Sequence, residues 1–313
     1  MQRKNIKRLV KFKPVYSLIK ASRKIVIPGF EGLSFYIVSK FFFKGLRNGT
    51  LNMRASSLSF SFFLALFPTI IFLFTLIPYI PIAHFKDSLF TLLQSIMPKS
   101  AFAATEDTIV DIIQKQRGGL LSIGFFSALY FSTNGFNAMI NAFNETYHEI
   151  ETRHPLHQRL ISLYMLFITA ILISLSITLI IGGDSGIHYF FHKHKVLIIV
   201  MNILKWIILF GLCYTLISFY YYIGPKMKKG WKFFSAGSMF STVLIIIATL
   251  VFSYYVNNFG KYNKLYGSIG TLIVVMMLIY INSFILLLGF DLNSSIHTAK
   301  RHHELFKRIR LSK

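Results

Sequence analysis

The sequence predicts an all-α polytopic membrane protein with six transmembrane helices, an N-terminal amphipathic interfacial helix and short external helices that cap the bundle. Two observations carry that class. Six runs hold no charged residue: Ala55 to Phe85, Gly118 to Asn144, Leu160 to Gly183, Trp206 to Pro225, Phe233 to Gly260 and Leu265 to Phe290. Each has at least the ~20 apolar residues needed to cross a hydrocarbon core of ~30 Å, and none alternates like a barrel strand. The second observation is a contrast: the 313 residues are 54% hydrophobic, yet the formal charge is +23. The bases must therefore be gathered between the spans.

Their placement sets the orientation. Residues 1–54 hold thirteen lysines and arginines, the 145–159 loop two, the 226–232 loop four and the C-terminal tail six, so one side carries 25 of the 34. The positive-inside bias puts that side, with both termini, in the cytoplasm. The same placement accounts for a sequence pI near 10.1 without nucleic acid as a partner. Juxtamembrane bases meet anionic headgroups, so the expected partner is the lipid bilayer, together with an unknown small solute, ion or lipid.

The organisation read from these boundaries is a basic segment over 1–54, a transmembrane domain over 55–296 and a basic tail over 297–313. Residues 1–54 lack the apolar core and cleavage site of a signal peptide, so no leader is expected. From Phe30 onward, FEGLSFYIVSKFFFKGLRNG sets Lys40, Lys44 and Arg47 against Phe35, Val38, Phe42 and Leu46, the pattern of a helix on the cytoplasmic leaflet. In the first span Pro68 is placed to kink the helix, and Pro78 and Pro81 to end it. The loop to Arg117 contains an apolar stripe, Phe85, Leu89, Leu92, Leu93 and Ile96, that predicts an external capping helix.

The second span carries the most unusual pattern. In STNGFNAMINAFNETYHE, residues Asn134, Asn137, Asn141 and Asn144 are three, four and three apart, which on a helix confines them to an arc of about 80°. An amide stripe of this kind either lines a passage or hydrogen-bonds a neighbouring helix. After the third span come His188, His192 and His194. Histidines four apart on a helix suit zinc, but only Asp184 accompanies them, so they read as interfacial and neither metal nor cofactor is expected.

Lys205 is read as snorkelling to the outer headgroups, with the fourth span starting near Ile203 and Trp206 in an aromatic belt. If the span starts at Val196 instead, Lys205 is an intramembrane charge and a functional candidate. In the last span Asn282, Gly289 and Asn293 share one face within about 40°, and Asp291 points the opposite way. Asp291 lies near the cytoplasmic end, within reach of tail bases such as Lys300 or Arg301. The single cysteine, Cys213, leaves the redox compartment open.

These residues resemble a known family. RASSLSFSFFLALFP, GFNAMINAFNETYHEIETRHPLHQR, KKGWKFFSAGS and YGSIGTLIVVMMLIYINSFILLLGFDLNSSI, in this order and spacing, resemble the YihY/virulence factor BrkB family of bacterial inner-membrane proteins, from about Phe30 to Ile296. Gly289, Phe290, Asp291, Leu292 and Asn293 fit its pattern of glycine, small or aromatic residue, acid, leucine and asparagine. The resemblance implies a six-helix bundle and ion or solute efflux. It also carries two older labels, ribonuclease BN, which reads as a misassignment, and serum-resistance factor, and it supplies no catalytic residues.

An enzyme is not expected. A two-metal nuclease needs several acids close together, whereas Asp87, Glu106, Asp107, Asp111 and Asp184 fall outside the membrane and Glu145, Glu149 and Glu151 lie among bases. Transport is the leading expectation, with Asn134, Asn137, Asn141, Asn144, Asn282 and Asn293 lining a passage beside the Pro68 kink, and Lys205 and Asp291 as candidate charges. The alternative is a membrane scaffold or envelope-integrity factor that transports nothing.

Overall fold

A computed structural model describes residues 22–23, 25–27, 29–47, 50–76, 118–146, 153–191, 195–226, 231–258 and 261–311. Among them the regular elements are seven helices: α1 (Phe35–Arg47), α2 (Leu51–Leu76), α3 (Gly118–Thr146), α4 (Pro155–Phe191), α5 (Lys195–Ile223), α6 (Ala236–Asn258) and α7 (Lys261–Leu311). The only pairing of extended backbone among the described residues is an isolated antiparallel bridge, Val26 to Ser34. Pro78, Pro81, the expected capping helix around Phe85 to Ile96, and His192 and His194 lie outside the described residues.

Five helices contain a stretch long and apolar enough to cross a membrane: Leu51–Phe72, Pro155–Ile180, Val196–Ile223, Ala236–Tyr255 and Leu272–Leu305. Composition thus supports five of the six expected spans. The exception is α3, which at 29 residues is long enough but is diluted by its own asparagines, serines and threonines. The fourth span also differs from its expected start. Its helix begins at Lys195 rather than near Ile203, because VLIIVMNIL continues the apolar run upstream and contains no glycine or proline to stop it.

Residues 60–136 form one compact unit, and residues 1–59 with 137–313 form another. In the first, the later part of α2 packs on the earlier part of α3 through glycines. A Cβ on Gly124 would lie 3.2 Å from the Phe72 backbone, and one on Gly135 would lie 2.8 Å from the Phe62 ring. Phe62 meets Phe136 edge-on at 5.7 Å between centroids. Pro68 sits in this unit, inside α2, which continues through it to Leu76.

In the second unit α4 packs on α5, α5 on α6, α6 on α7, and α7 on α1. Hydroxyls stitch these contacts together. Thr169 of α4 and Tyr220 of α5 are 2.8 Å apart, and Ser218 of α5 donates to Ser238 of α6 at 2.9 Å. Helix ends are capped in the same way: Ser235 and Ser238 exchange backbone-to-hydroxyl bonds of 3.2 Å at the start of α6, a reciprocal cap that satisfies donors the helix cannot. Arg153 covers the end of α5, donating to the carbonyls of Ile223 at 3.2 Å, Pro225 at 3.0 Å and Gly224. With 51 residues, α7 is roughly 75 Å long at about 1.5 Å per residue, far longer than a bilayer core.

Candidate functional site

Arg54 is the fourth residue of α2 and Thr146 the last of α3, and both meet Asp291 of α7. The Arg54 guanidinium donates to Asp291 at 3.1 Å and to the Ala142 carbonyl at 2.9 Å, and it also reaches the Thr146 hydroxyl. Thr146 in turn donates to Asp291 at 2.8 Å. Both charged side chains are over nine-tenths buried, at 7% and 9% exposure, and the Arg54 Nε is buried without a partner. Removing both charges from water costs several kcal/mol per ion, and only close pairing with further hydrogen bonds offsets that cost. Three helices converge to supply them.

This arrangement corrects one expectation. Asp291 pairs with Arg54 rather than with the tail bases, and Lys300 is held by Glu31 at 2.7 Å. The reason is geometric. On α7, Lys300 is nine residues beyond Asp291, about two and a half turns away and on the opposite side of the helix.

The opposite face of α7 is a seam with α6. The Asn293 amide accepts from the Gly237 backbone at 2.7 Å and donates to Ser235 at 2.7 Å, so it completes the cap of α6 described above. Ser241 donates to the Ile285 carbonyl at 3.0 Å, while the Tyr221 hydroxyl lies 2.7 Å from Ser241 and donates to the Leu286 carbonyl at 2.5 Å. Such closeness requires glycine at two positions. A Cβ on Gly289 would sit 1.9 Å from the Ser241 hydroxyl, and one on Gly237 would sit 2.1 Å from the Gly289 carbonyl.

The asparagines separate into different roles. Gln158 of α4 donates to Asn137 at 2.5 Å and to Asn141 at 2.8 Å, so those two amides tie α3 to α4. Asn144 and Asn282 each bury a side-chain oxygen without a hydrogen-bond partner. Asn134 is half-buried and partnered, and it lies in the unit of residues 60–136. Lys205 is only 6% exposed, with its ammonium 5.6 Å from the centre of the Trp206 ring. It lies within α5, in the apolar stretch Val196–Ile223. Among the described residues no group of three or more His, Cys, Asp or Glu is placed to hold a metal.

Sequence reasoning misses Arg54, Thr146, Gln158 and Tyr221. By position Arg54 counts with the cytoplasmic bases, although its place directly before the charge-free run ASSLSF marks the residue that α2 carries inward. Gln158 is four residues beyond His154 in what reads as a loop, which hides it from any helical pattern.

Residues 42–309 match the sequence model of the family described as Virulence factor BrkB. The ribonuclease-like protein YfkH of Bacillus subtilis (strain 168) is 30% identical over 251 residues, covering 79% of this chain and 90% of that protein. A UPF0761 membrane protein of Haemophilus influenzae (strain 86-028NP) is 23% identical over 260 residues, covering 82% and 93%, and one of Aggregatibacter aphrophilus (strain NJ8700) is 22% identical over 259, covering 80% and 88%. No solved structure matches the chain. By the extent of the family match and the identity to the Bacillus protein, the chain belongs to the Virulence factor BrkB family of membrane proteins.

Proposed function

We propose that this protein is a transporter or efflux protein of the bacterial inner membrane, moving an ion, a small solute or a lipid, with six spans and both termini in the cytoplasm. One observation carries the reading: a salt bridge, Arg54 with Asp291, is buried between three helices. Charges inside membrane segments are costly and mark substrate or ion pathways. The amide oxygens of Asn144 and Asn282, buried without a hydrogen-bond partner, are further polar atoms within these helices.

The sixth span is α3, whose 29 residues contain a single charged residue, Glu145, next to the last. It crosses as part of a bundle with its amides turned to other helices, a reading supported by the bonds of Gln158 to two of them.

The test is purified protein in liposomes, screened separately for movement of ions, small solutes and fluorescent lipids. Flux above protein-free liposomes for one class is expected. No flux for any class would remove the transport reading.

A further inference from the structure

The helix α1 has two apolar faces, and α7 occupies only one. At 100° per residue, Ile37, Val38 and Phe41 lie together on one side, and Phe35, Phe42, Phe43 and Leu46 on another, with Lys40 and Lys44 along the border. The first side packs on the protein: Val38 is 1% exposed, Ile37 and Phe41 sit against a cluster of Phe30, Leu33, Val38, Ile296 and Ala299, and Phe41 meets His302 at 5.5 Å. The second side is open, with Phe35 41% and Phe43 62% exposed. Beside it Ile25 and Val26 are about half exposed, at 51% and 54%.

The segment is anchored. Glu31 is ion-paired to Lys300 at 2.7 Å and lies 3.9 Å from Lys232, and Phe35 donates its backbone N–H to Ile25 at 2.8 Å. Gly29 and Gly32 take the left-handed backbone of φ 90° and 82° that lets the chain double back, and Gly29 abuts Ala236. The open aromatic side is thus a fixed surface.

We infer that this open side of α1, with Ile25 and Val26, binds anionic phospholipid of the cytoplasmic leaflet. Two features select that occupant. Only three residues separate Arg47 from Leu51, a reach of at most about 14 Å, so α1 cannot leave the neighbourhood of the span that α2 begins. The charge is also one-sided. Arg23 lies over the Tyr36 ring at 4.9 Å, Lys40 and Lys44 are exposed, and Glu31, the one acid in residues 22–47, is engaged by lysines. Aromatic rings in the headgroup boundary with lysines in the anionic layer are the chemistry of an interfacial helix. Through Glu31 and Lys300 the surface also ties the leaflet to α7.

This inference does not depend on transport. It is tested on the full chain with Cys213→Ser as background and Phe43→Cys labelled with a polarity-sensitive fluorophore. The protein is placed in nanodiscs of phosphatidylcholine, or of phosphatidylcholine and phosphatidylglycerol in equal parts, and quenched with lipids spin-labelled near the headgroup. Val26→Cys serves as a second site should Phe43→Cys fold poorly.

Lipid quenching at both sites is expected, stronger with phosphatidylglycerol. Lys40→Gln with Lys44→Gln should lower that preference by roughly tenfold or more. Quenching by aqueous iodide alone would overturn the inference, as would equal behaviour in both lipids. Label-to-label contact between copies in every lipid would assign the face to a second copy of the chain and overturn it too.

Discussion

The two faces of α7 bury polar groups by different means. Toward α6 the groups are neutral and the helices approach closely: Asn293 bonds Gly237 and Ser235, Ser241 bonds Ile285, and Gly289 makes the room. Toward α2 and α3 the groups are charged, with Asp291 held by Arg54 and Thr146. A neutral seam needs only helix packing to explain it. Between membrane helices such hydrogen bonds contribute ~0.6 to 2 kcal/mol each, and they hold two elements in register. The charged face is different, because well-packed apolar side chains would serve stability as well or better.

Substitutions separate the two faces. Gly289→Val drives a side chain into Ser241 and the Gly237 carbonyl, and overpacking of this kind costs about 3 kcal/mol; the yield of monodisperse protein in detergent should collapse. Arg54→Met alone strands the Asp291 carboxylate in a buried site and should cost ~3 to 5 kcal/mol, read as a large fall in thermal unfolding temperature. Asn293→Ala removes the second half of the α6 cap and leaves the Gly237 N–H without its acceptor, for ~1 to 2 kcal/mol. Its signature is a moderate loss of thermal stability.

The amide stripe should respond least. Asn137→Leu removes one hydrogen bond of Gln158 and Gln158→Leu removes that bond and the one to Asn141, at ~0.6 to 2 kcal/mol per bond, so the double variant should cost little more than Gln158→Leu alone. Strict additivity in that cycle would mean the bond is not formed. Asn282→Leu removes a buried oxygen without a partner and should leave stability unchanged within ~0.5 kcal/mol. If Asn282→Leu and Asn134→Leu nevertheless reduce flux while the folded protein persists, those amides belong to the passage rather than to the packing.

How far the sequence reaches follows from the range of each signal. Charge-free runs are local, and they locate the six long helices among the described residues. The face assignments on α7 are local as well, so helical spacing alone separates Asn282, Gly289 and Asn293 from Asp291. The pairing of Arg54 with Asp291 spans 237 positions, and no periodicity reports a contact of that kind. Lys205 shows a different limit. Length alone allows two starts for the fourth span, and the upstream apolar residues from Val196 extend the helix back to Lys195. In α1 the apolar pattern reads as one lipid-facing side, whereas Val38 packs on α7 and the exposed side is centred on Phe35, Phe42 and Phe43.

The central claim is that the buried pair serves transport and not merely folding. The double variant Arg54→Met with Asp291→Leu tests it most directly, because a buried ion pair replaced as a whole by apolar side chains of similar size is often neutral or stabilising. With thermal stability and liposome flux measured on the same preparation, the expected result is a folded protein, at or above the parent in unfolding temperature, that no longer moves the substrate of the parent. A folded double variant with undiminished flux would contradict the claim and return Arg54 and Asp291 to the role of a structural clamp.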